Sequence, residues 1–174
     1  AVEAQFGYTE VPVVHLDDLY AGKLCAALDR QHPRDLFDVQ LLLEHEGIND
    51  GLLEVFVVYL ISGDRSLADM LALSRQPIVE TFEEQFRGMA LMPVTVKELE
   101  QTRETMISLI RTKLTERQRQ FLMSFKRGEP DWGFLNLTGV AGLPAVQWKL
   151  QNVRRMTTAK HEQALERLRL VLYG

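Results

Sequence analysis

Apolar residues recur at helical spacing along almost the whole chain after residue 14, and this periodicity most restricts the folds open to it. The clearest example is "TVKELEQTRETMISLIRTKL", in which five apolar residues share a face: Val96, Leu99, Met106, Ile107 and Ile110. Elsewhere in this segment charged residues are paired at i,i+3 or i,i+4. The sequence therefore predicts a mainly α-helical fold.

Caps and turn residues set the expected helix boundaries. Helices are predicted at about residues 15–31, 33–46, 50–62, 66–73, 77–87, 95–113, 115–126, 144–156 and 158–172. Pro33 suits the first turn of the second helix, and Thr115 with Gln118 begins another like a capping box. Residues 2–14 are rich in Val, Phe and Tyr and end in "EVPVV", which predicts one or two short strands around Pro12.

Composition excludes several classes of protein. Hydrophobic residues make up 46% of the 174-residue chain and charged residues 25%, as in soluble globular proteins, and no apolar run reaches the length of a membrane span. A net charge of −4 argues against a chain that coats nucleic acid by bulk electrostatics. The single Cys25 has no partner for an internal disulfide, so we expect a buried structural thiol and a cytoplasmic location.

The stretch "LYAGKLCAALDRQHPRDLFD", residues 19–38, combines two helical patterns with five charges: Lys23, Arg30, Arg34, Asp35 and Asp38. The short turn makes the helices antiparallel neighbours, and the helical rise brings Lys23 and Asp38 to comparable depth. Arg34 and Asp38 are four residues apart and can also pair. Two interpretations stay open: a salt-bridge network that joins the helices, or a site that binds phosphates.

The segment "LDDLYAGKLCAALDRQHPRDLFDVQLLL" resembles the motif K-x6-R-x3-R-D-x2-D of AbiEii-type nucleotidyltransferase toxins, which belong to type IV toxin–antitoxin and abortive-infection (phage defence) systems. The stretches "GEPDW" and "LPAVQWKLQN" look like further parts of this family, so the resemblance covers nearly the whole chain. It implies an enzyme with a mixed-sheet core followed by a helical domain. Such an enzyme transfers a nucleoside monophosphate from an NTP to an RNA end or a protein hydroxyl and releases pyrophosphate.

The resemblance also implies roles for the five charged residues. Lys23 corresponds to a contact with the triphosphate or the transition state, and Asp38 to a base or orienting carboxylate on the acceptor side. Arg30, Arg34 and Asp35 match as supporting, phosphate-binding residues. These five positions are the catalytic and binding residues that the resemblance implies.

The sequence departs from the family pattern in the residues that bind the metal. The family binds Mg²⁺ and the nucleotide through a Gly-Ser pair followed by Asp-x-Asp, and neither occurs in this sequence. No metal ligand is therefore predicted here, and we expect the sheet that carries these ligands to lie upstream of Ala1. On that interpretation residues 1–14 are a remnant of the core, 15–48 the charged hairpin and 49–174 a C-terminal helical domain. Mg²⁺ and NTP are then expected for the full-length protein, and this fragment alone is expected to be inactive.

A second interpretation belongs to another class: a non-catalytic helical module that binds a partner protein, such as a cognate antitoxin, or RNA. From Lys149 onward the chain has six Lys or Arg against two Glu. If RNA is the acceptor, Arg154, Arg155 and Lys160 are the expected contacts to its backbone. A solvated helix face also explains this asymmetry and is the interpretation that charge runs favour.

Overall fold

The computed structural model describes residues 13–72 and 74–174, and within these ranges the chain folds into nine α-helices with no strand. The helices are α1 (Leu16–Arg30), α2 (Pro33–His45), α3 (Asp50–Ser62), α4 (Leu67–Ala72), α5 (Val79–Gln85), α6 (Val96–Lys113), α7 (Glu116–Arg127), α8 (Pro144–Arg154) and α9 (Thr158–Tyr173). Two short 3₁₀ turns, Trp132–Phe134 and Val140–Gly142, connect α7 to α8. The predicted mainly α-helical fold is confirmed, and each helix end lies within about two residues of its predicted position.

The predicted N-terminal strands cannot be placed in this fold. Residues 1–12, which hold most of the "EVPVV" pattern, lie outside the described residues. Val13 and Val14 are described, and both are exposed without regular secondary structure. The division of the chain into segments 1–14, 15–48 and 49–174 stays a prediction.

Side-chain caps explain where the helices begin. The predicted capping box is present: Thr115 accepts a hydrogen bond from the backbone of Gln118, whose side chain accepts one from the Thr115 backbone. Thr95 and Glu98 form a second capping box at the start of α6. The imidazoles of His15 and His32 cap α1 and α2 by accepting hydrogen bonds from the backbone two residues on. Both predicted hairpin helices are therefore stabilised locally at their first turns.

The core forms around α3, whose sequence "DGLLEVFVVYLIS" is apolar on nearly every side. Seven of its residues are buried: Leu52, Leu53, Phe56, Val57, Val58, Leu60 and Ile61. Helix α1 packs along α3 and α2 packs along α6, so both hairpin helices are fixed to the body of the protein. Among the described residues no helix has the length and apolar character needed to cross a membrane.

Lys149 on α8 brings an ammonium group into this core. Its side chain is 7% exposed and donates hydrogen bonds to the carbonyl oxygens of Leu60 at 2.9 Å, Gly63 at 2.6 Å and Arg65 at 2.7 Å. Burial, followed by the neighbouring Lys126, lowers the pKa of Lys149 from 10.5 to about 8. A cation thus binds carbonyl groups in the last turn of α3 and just after it, where carbonyl groups lack helical partners.

Cys25 on α1 is packed against the core, and burial raises its pKa to about 12. Because the thiolate is the reactive species, we expect the folded protein to react with iodoacetamide at pH 7.5 at least about 100-fold more slowly than the urea-unfolded chain. Mass spectrometry of timed samples measures both rates. Equal rates in the folded and unfolded protein would contradict the raised pKa of the Cys25 thiol.

Candidate functional site

The hairpin of α1 and α2 opens one pocket of about 310 Å³ at its turn. All five charged residues that the sequence singled out line it: Lys23, Arg30, Arg34, Asp35 and Asp38. His32, Phe37 and Phe86 complete the wall. The structure therefore brings the predicted residues together in one place, which we call the charged pocket.

Lys23 and Asp38 face each other across the two helices. The Nζ atom of Lys23 donates a hydrogen bond to Oδ2 of Asp38 at 2.6 Å. The two side chains are 39% and 35% exposed, so a ligand in the pocket can reach both. The pair joins the helices, and it also presents an ammonium and a carboxylate at the same point of the pocket.

Arg30 and Asp35 form a second pair beside the turn. Nη2 of Arg30 donates to Oδ1 of Asp35 at 3.0 Å. The carboxylate is 9% exposed whereas the guanidinium is 62% exposed, so the buried group holds the exposed one in place. The bond to Asp35 uses one nitrogen of the exposed guanidinium, so its other N–H donors can bind an anion.

Arg34 is exposed, and its side chain makes no hydrogen bond or ion pair with any residue in 13–72 or 74–174. The sequence allowed a pair between Arg34 and Asp38, but in the structure Asp38 pairs with Lys23 from the opposite helix. Arg34 is thus a solvated cation at the edge of the charged pocket, available to a ligand.

The carboxylates of the charged pocket do not fit a Mg²⁺ ion. Asp35 and Asp38 each already bind a cationic side chain, and the five charges sum to +1. In the part of the chain that the structure describes, no group of three His, Cys, Asp or Glu residues could hold a metal. The net positive charge of the pocket favours an anionic ligand such as a phosphate chain.

The predicted RNA contacts lie elsewhere. Nε of Arg154 donates to the carbonyl oxygen of Gly128 at 2.8 Å and so caps the C-terminus of α7. Arg155 and Lys160 are exposed, and no residue in the described ranges pairs with their side chains. None of the three lines the charged pocket, and their contact with RNA stays a prediction.

Sequence reasoning missed Gln31, the first of the two residues between α1 and α2. It is 3% exposed and makes long-range hydrogen bonds to Ser74, Gln76 and Arg103. No local pattern signals these contacts, because the partners lie 43 to 72 residues away in the chain. A polar residue in a two-residue turn is by itself unremarkable in a sequence.

The comparison with protein families gives one match. A sequence model of the family described as "Nucleotidyl transferase AbiEii toxin, Type IV TA system" matches residues 1–152. The chain belongs to the AbiEii family. The matched region contains all five residues of the charged pocket, whereas Arg154, Arg155 and Lys160 follow it. Membership in the AbiEii family indicates a nucleotidyltransferase-like toxin of a type IV toxin–antitoxin system. No curated protein and no solved structure matches the chain significantly.

Proposed function

We propose that the charged pocket binds the phosphates of a nucleoside triphosphate in a toxin that transfers the nucleoside monophosphate to an RNA end or a protein hydroxyl. One observation carries the proposal: three cationic side chains line a single open pocket in a chain of this family. Arg34 has no partner in the described residues, and Lys23 and Arg30 are partly exposed although each is paired. This is the arrangement needed to neutralise a polyphosphate.

The proposed reaction is an in-line displacement at the α-phosphorus. The acceptor hydroxyl oxygen forms a bond to this phosphorus, and the bond to the oxygen bridging the β-phosphate breaks, so pyrophosphate leaves. Arg30, Arg34 and Lys23 stabilise the negative charge on the leaving group. Asp38 accepts a hydrogen bond from the acceptor hydroxyl and receives its proton. Positioning and charge neutralisation supply most of the rate enhancement in chemistry of this kind.

We propose that the metal-binding carboxylates are supplied from outside this chain. The sequence has no Asp-x-Asp, and the carboxylates of the charged pocket are already paired. The Mg²⁺ expected for the full-length enzyme would bind phosphate oxygens of the NTP. The 174-residue chain alone is accordingly proposed to be inactive. We also propose a cytoplasmic location, where NTPs are abundant and the single Cys25 stays reduced.

A transfer assay tests this function. The protein expressed from its intact gene is incubated with Mg²⁺, each [α-³²P]NTP in turn, and total RNA or cell protein as acceptor. We expect label on an acceptor together with pyrophosphate release, and neither with the 174-residue chain alone. Labelling by the isolated chain would contradict its proposed dependence on external carboxylates. Absence of transfer by the intact protein under every condition would contradict the function itself.

A second candidate is binding to a partner protein, with a cognate antitoxin as the partner that the family suggests. The loop between α5 and α6 favours it, because Met89, Leu91 and Met92 are 63%, 106% and 77% exposed. Adjacent exposed apolar side chains of this kind mark interaction surfaces. Coexpression with a neighbouring antitoxin gene tests it: copurification should be lost in Leu91→Asp and kept in Lys23→Ala. Copurification that persists in Leu91→Asp would exclude this surface.

A further inference from the structure

Gln31 adopts a backbone conformation that a glutamine rarely adopts. Its φ is 51° and its ψ 32°, in the left-handed region, and no other non-glycine residue in 13–72 or 74–174 has a positive φ. This conformation brings Cβ close to the following carbonyl oxygen, so it persists only where other contacts stabilise it. The residue is also buried, with 3% of its surface exposed.

The side chain of Gln31 supplies those contacts. Nε2 donates to the carbonyl oxygen of Ser74 at 2.7 Å. Oε1 accepts from the backbone nitrogen of Gln76 at 3.0 Å and from Nη1 of Arg103 at 3.1 Å. Arg103 is 5% exposed and donates a further bond from Nη1 to the carbonyl oxygen of Gln76 at 2.8 Å. Gln31 thus joins the hairpin turn to the segment before α5 and to α6.

The hydrogen bonds of Gln31 lie beside Arg30 and Arg34 but away from the Lys23–Asp38 pair. Gln31 directly follows Arg30, and Arg34 lies in the first turn of α2 just beyond it. Lys23 and Asp38 lie farther along the helices and hold each other directly. Movement of the turn would therefore displace the two arginines and leave the Lys23–Asp38 pair in place.

We infer that Gln31 is a positioning residue for the phosphate-binding arginines of the charged pocket. The inference rests on the proposed function, which it deepens by naming the residue that sets the geometry of the pocket edge. Gln31 touches no phosphate itself. Its amide holds the left-handed turn, and the turn orients Arg30 and Arg34 toward the same ligand.

The test compares affinities for inorganic triphosphate, measured with the 174-residue chain by isothermal titration calorimetry. Glycine adopts the left-handed conformation freely, so Gln31→Gly removes the side-chain contacts without backbone strain. Asparagine also tolerates it but is one methylene too short to reach all three partners, and Gln31→Asn serves as the second variant. The control is Leu172→Ala on α9, a 4% exposed core residue outside the charged pocket. Thermal unfolding shows that each variant is folded.

We expect Gln31→Gly to raise the dissociation constant about fivefold or more, Gln31→Asn to give an intermediate value, and Leu172→Ala to stay within about twofold of the unmodified chain. An unchanged affinity in Gln31→Gly, together with weaker binding in Lys23→Ala, would overturn the positioning role and leave the proposed function standing. Equal weakening in Gln31→Gly and Leu172→Ala would show a merely structural role and also overturn it. An unmodified chain that binds no triphosphate would overturn both proposals.

Discussion

Replacing Lys23 with alanine is expected to abolish growth arrest by the protein expressed from its intact gene. The change removes the ammonium that the pocket offers to the leaving phosphates, and loss of such a group typically costs about 100-fold or more in rate. Because the Lys23–Asp38 pair is more than one-third exposed on both sides, its loss should change the free energy of unfolding by no more than about 1 kcal/mol. Colony counts after induction measure the arrest, and labelled transfer measures the rate.

Lys97→Ala is the matched control for this experiment. Lys97 is exposed on α6, does not line the charged pocket, and has no side-chain partner in the described ranges. We expect it to arrest growth as strongly as the unmodified protein. Growth arrest that persists in a folded Lys23→Ala variant would favour the partner-binding module over the transferase.

Asp38→Asn repeats the test from the acceptor side, since it keeps the shape but removes the proton acceptor.

Lys149→Met is expected to cause a large loss of stability, about 3 kcal/mol at pH 7. The ammonium donates to three carbonyl oxygens, that of Leu60 in the last turn of α3 and those of Gly63 and Arg65 just after it, and methionine leaves all three without this donor. Chemical denaturation followed by circular dichroism measures the change. Lys160→Met, an exposed substitution on α9, is the control and should be nearly neutral. Equal free energies of unfolding in Lys149→Met and Lys160→Met would show that the buried ammonium contributes nothing to stability.

The same lysine predicts a pH dependence. The pKa of Lys149 is about 8 in the folded protein, whereas its ordinary value, expected in the unfolded chain, is 10.5. Between pH 8 and 10.5 this lysine is therefore protonated in the unfolded chain but largely neutral in the folded protein. Stability contributed by this group therefore rises as the pH increases from 8 to 10.5. The difference in unfolding free energy between the unmodified protein and Lys149→Met should widen by about 1.4 kcal/mol per pH unit across that interval. A constant or shrinking difference would contradict the lowered pKa.

The helices and the charged pocket were predictable because their signals are local. Apolar periodicity and caps fix the helices, and the distance from Lys23 to Asp38 follows from the helical rise and a short turn. Family resemblance then assigned roles to the five charged residues that the hairpin pattern had singled out. Local spacing could not choose between Arg34 and Lys23 as the partner of Asp38, because both spacings allow a pair. The packing of α1 on α2 brings Lys23 to Asp38 in the structure.

The missed features depend on contacts between distant parts of the chain. Lys149 pairs with carbonyl groups 84 to 89 residues away, and Gln31 with Arg103 across 72 residues. Lysine and glutamine are usually exposed, so their sequence context predicts a solvated surface. Burial of these side chains became predictable only once the helices were placed against each other.

The central claim is that the charged pocket binds nucleotide phosphates, and an NMR titration tests it most directly. ATP without metal is added to the ¹⁵N-labelled 174-residue chain, and the backbone amides and arginine Nε–H groups are followed. We expect saturable shifts in Arg30, Arg34 and the backbone of residues 31–38, and we expect them to be lost in Lys23→Ala. Shifts confined to Arg155 and Lys160, or no saturable shift at all, would contradict it.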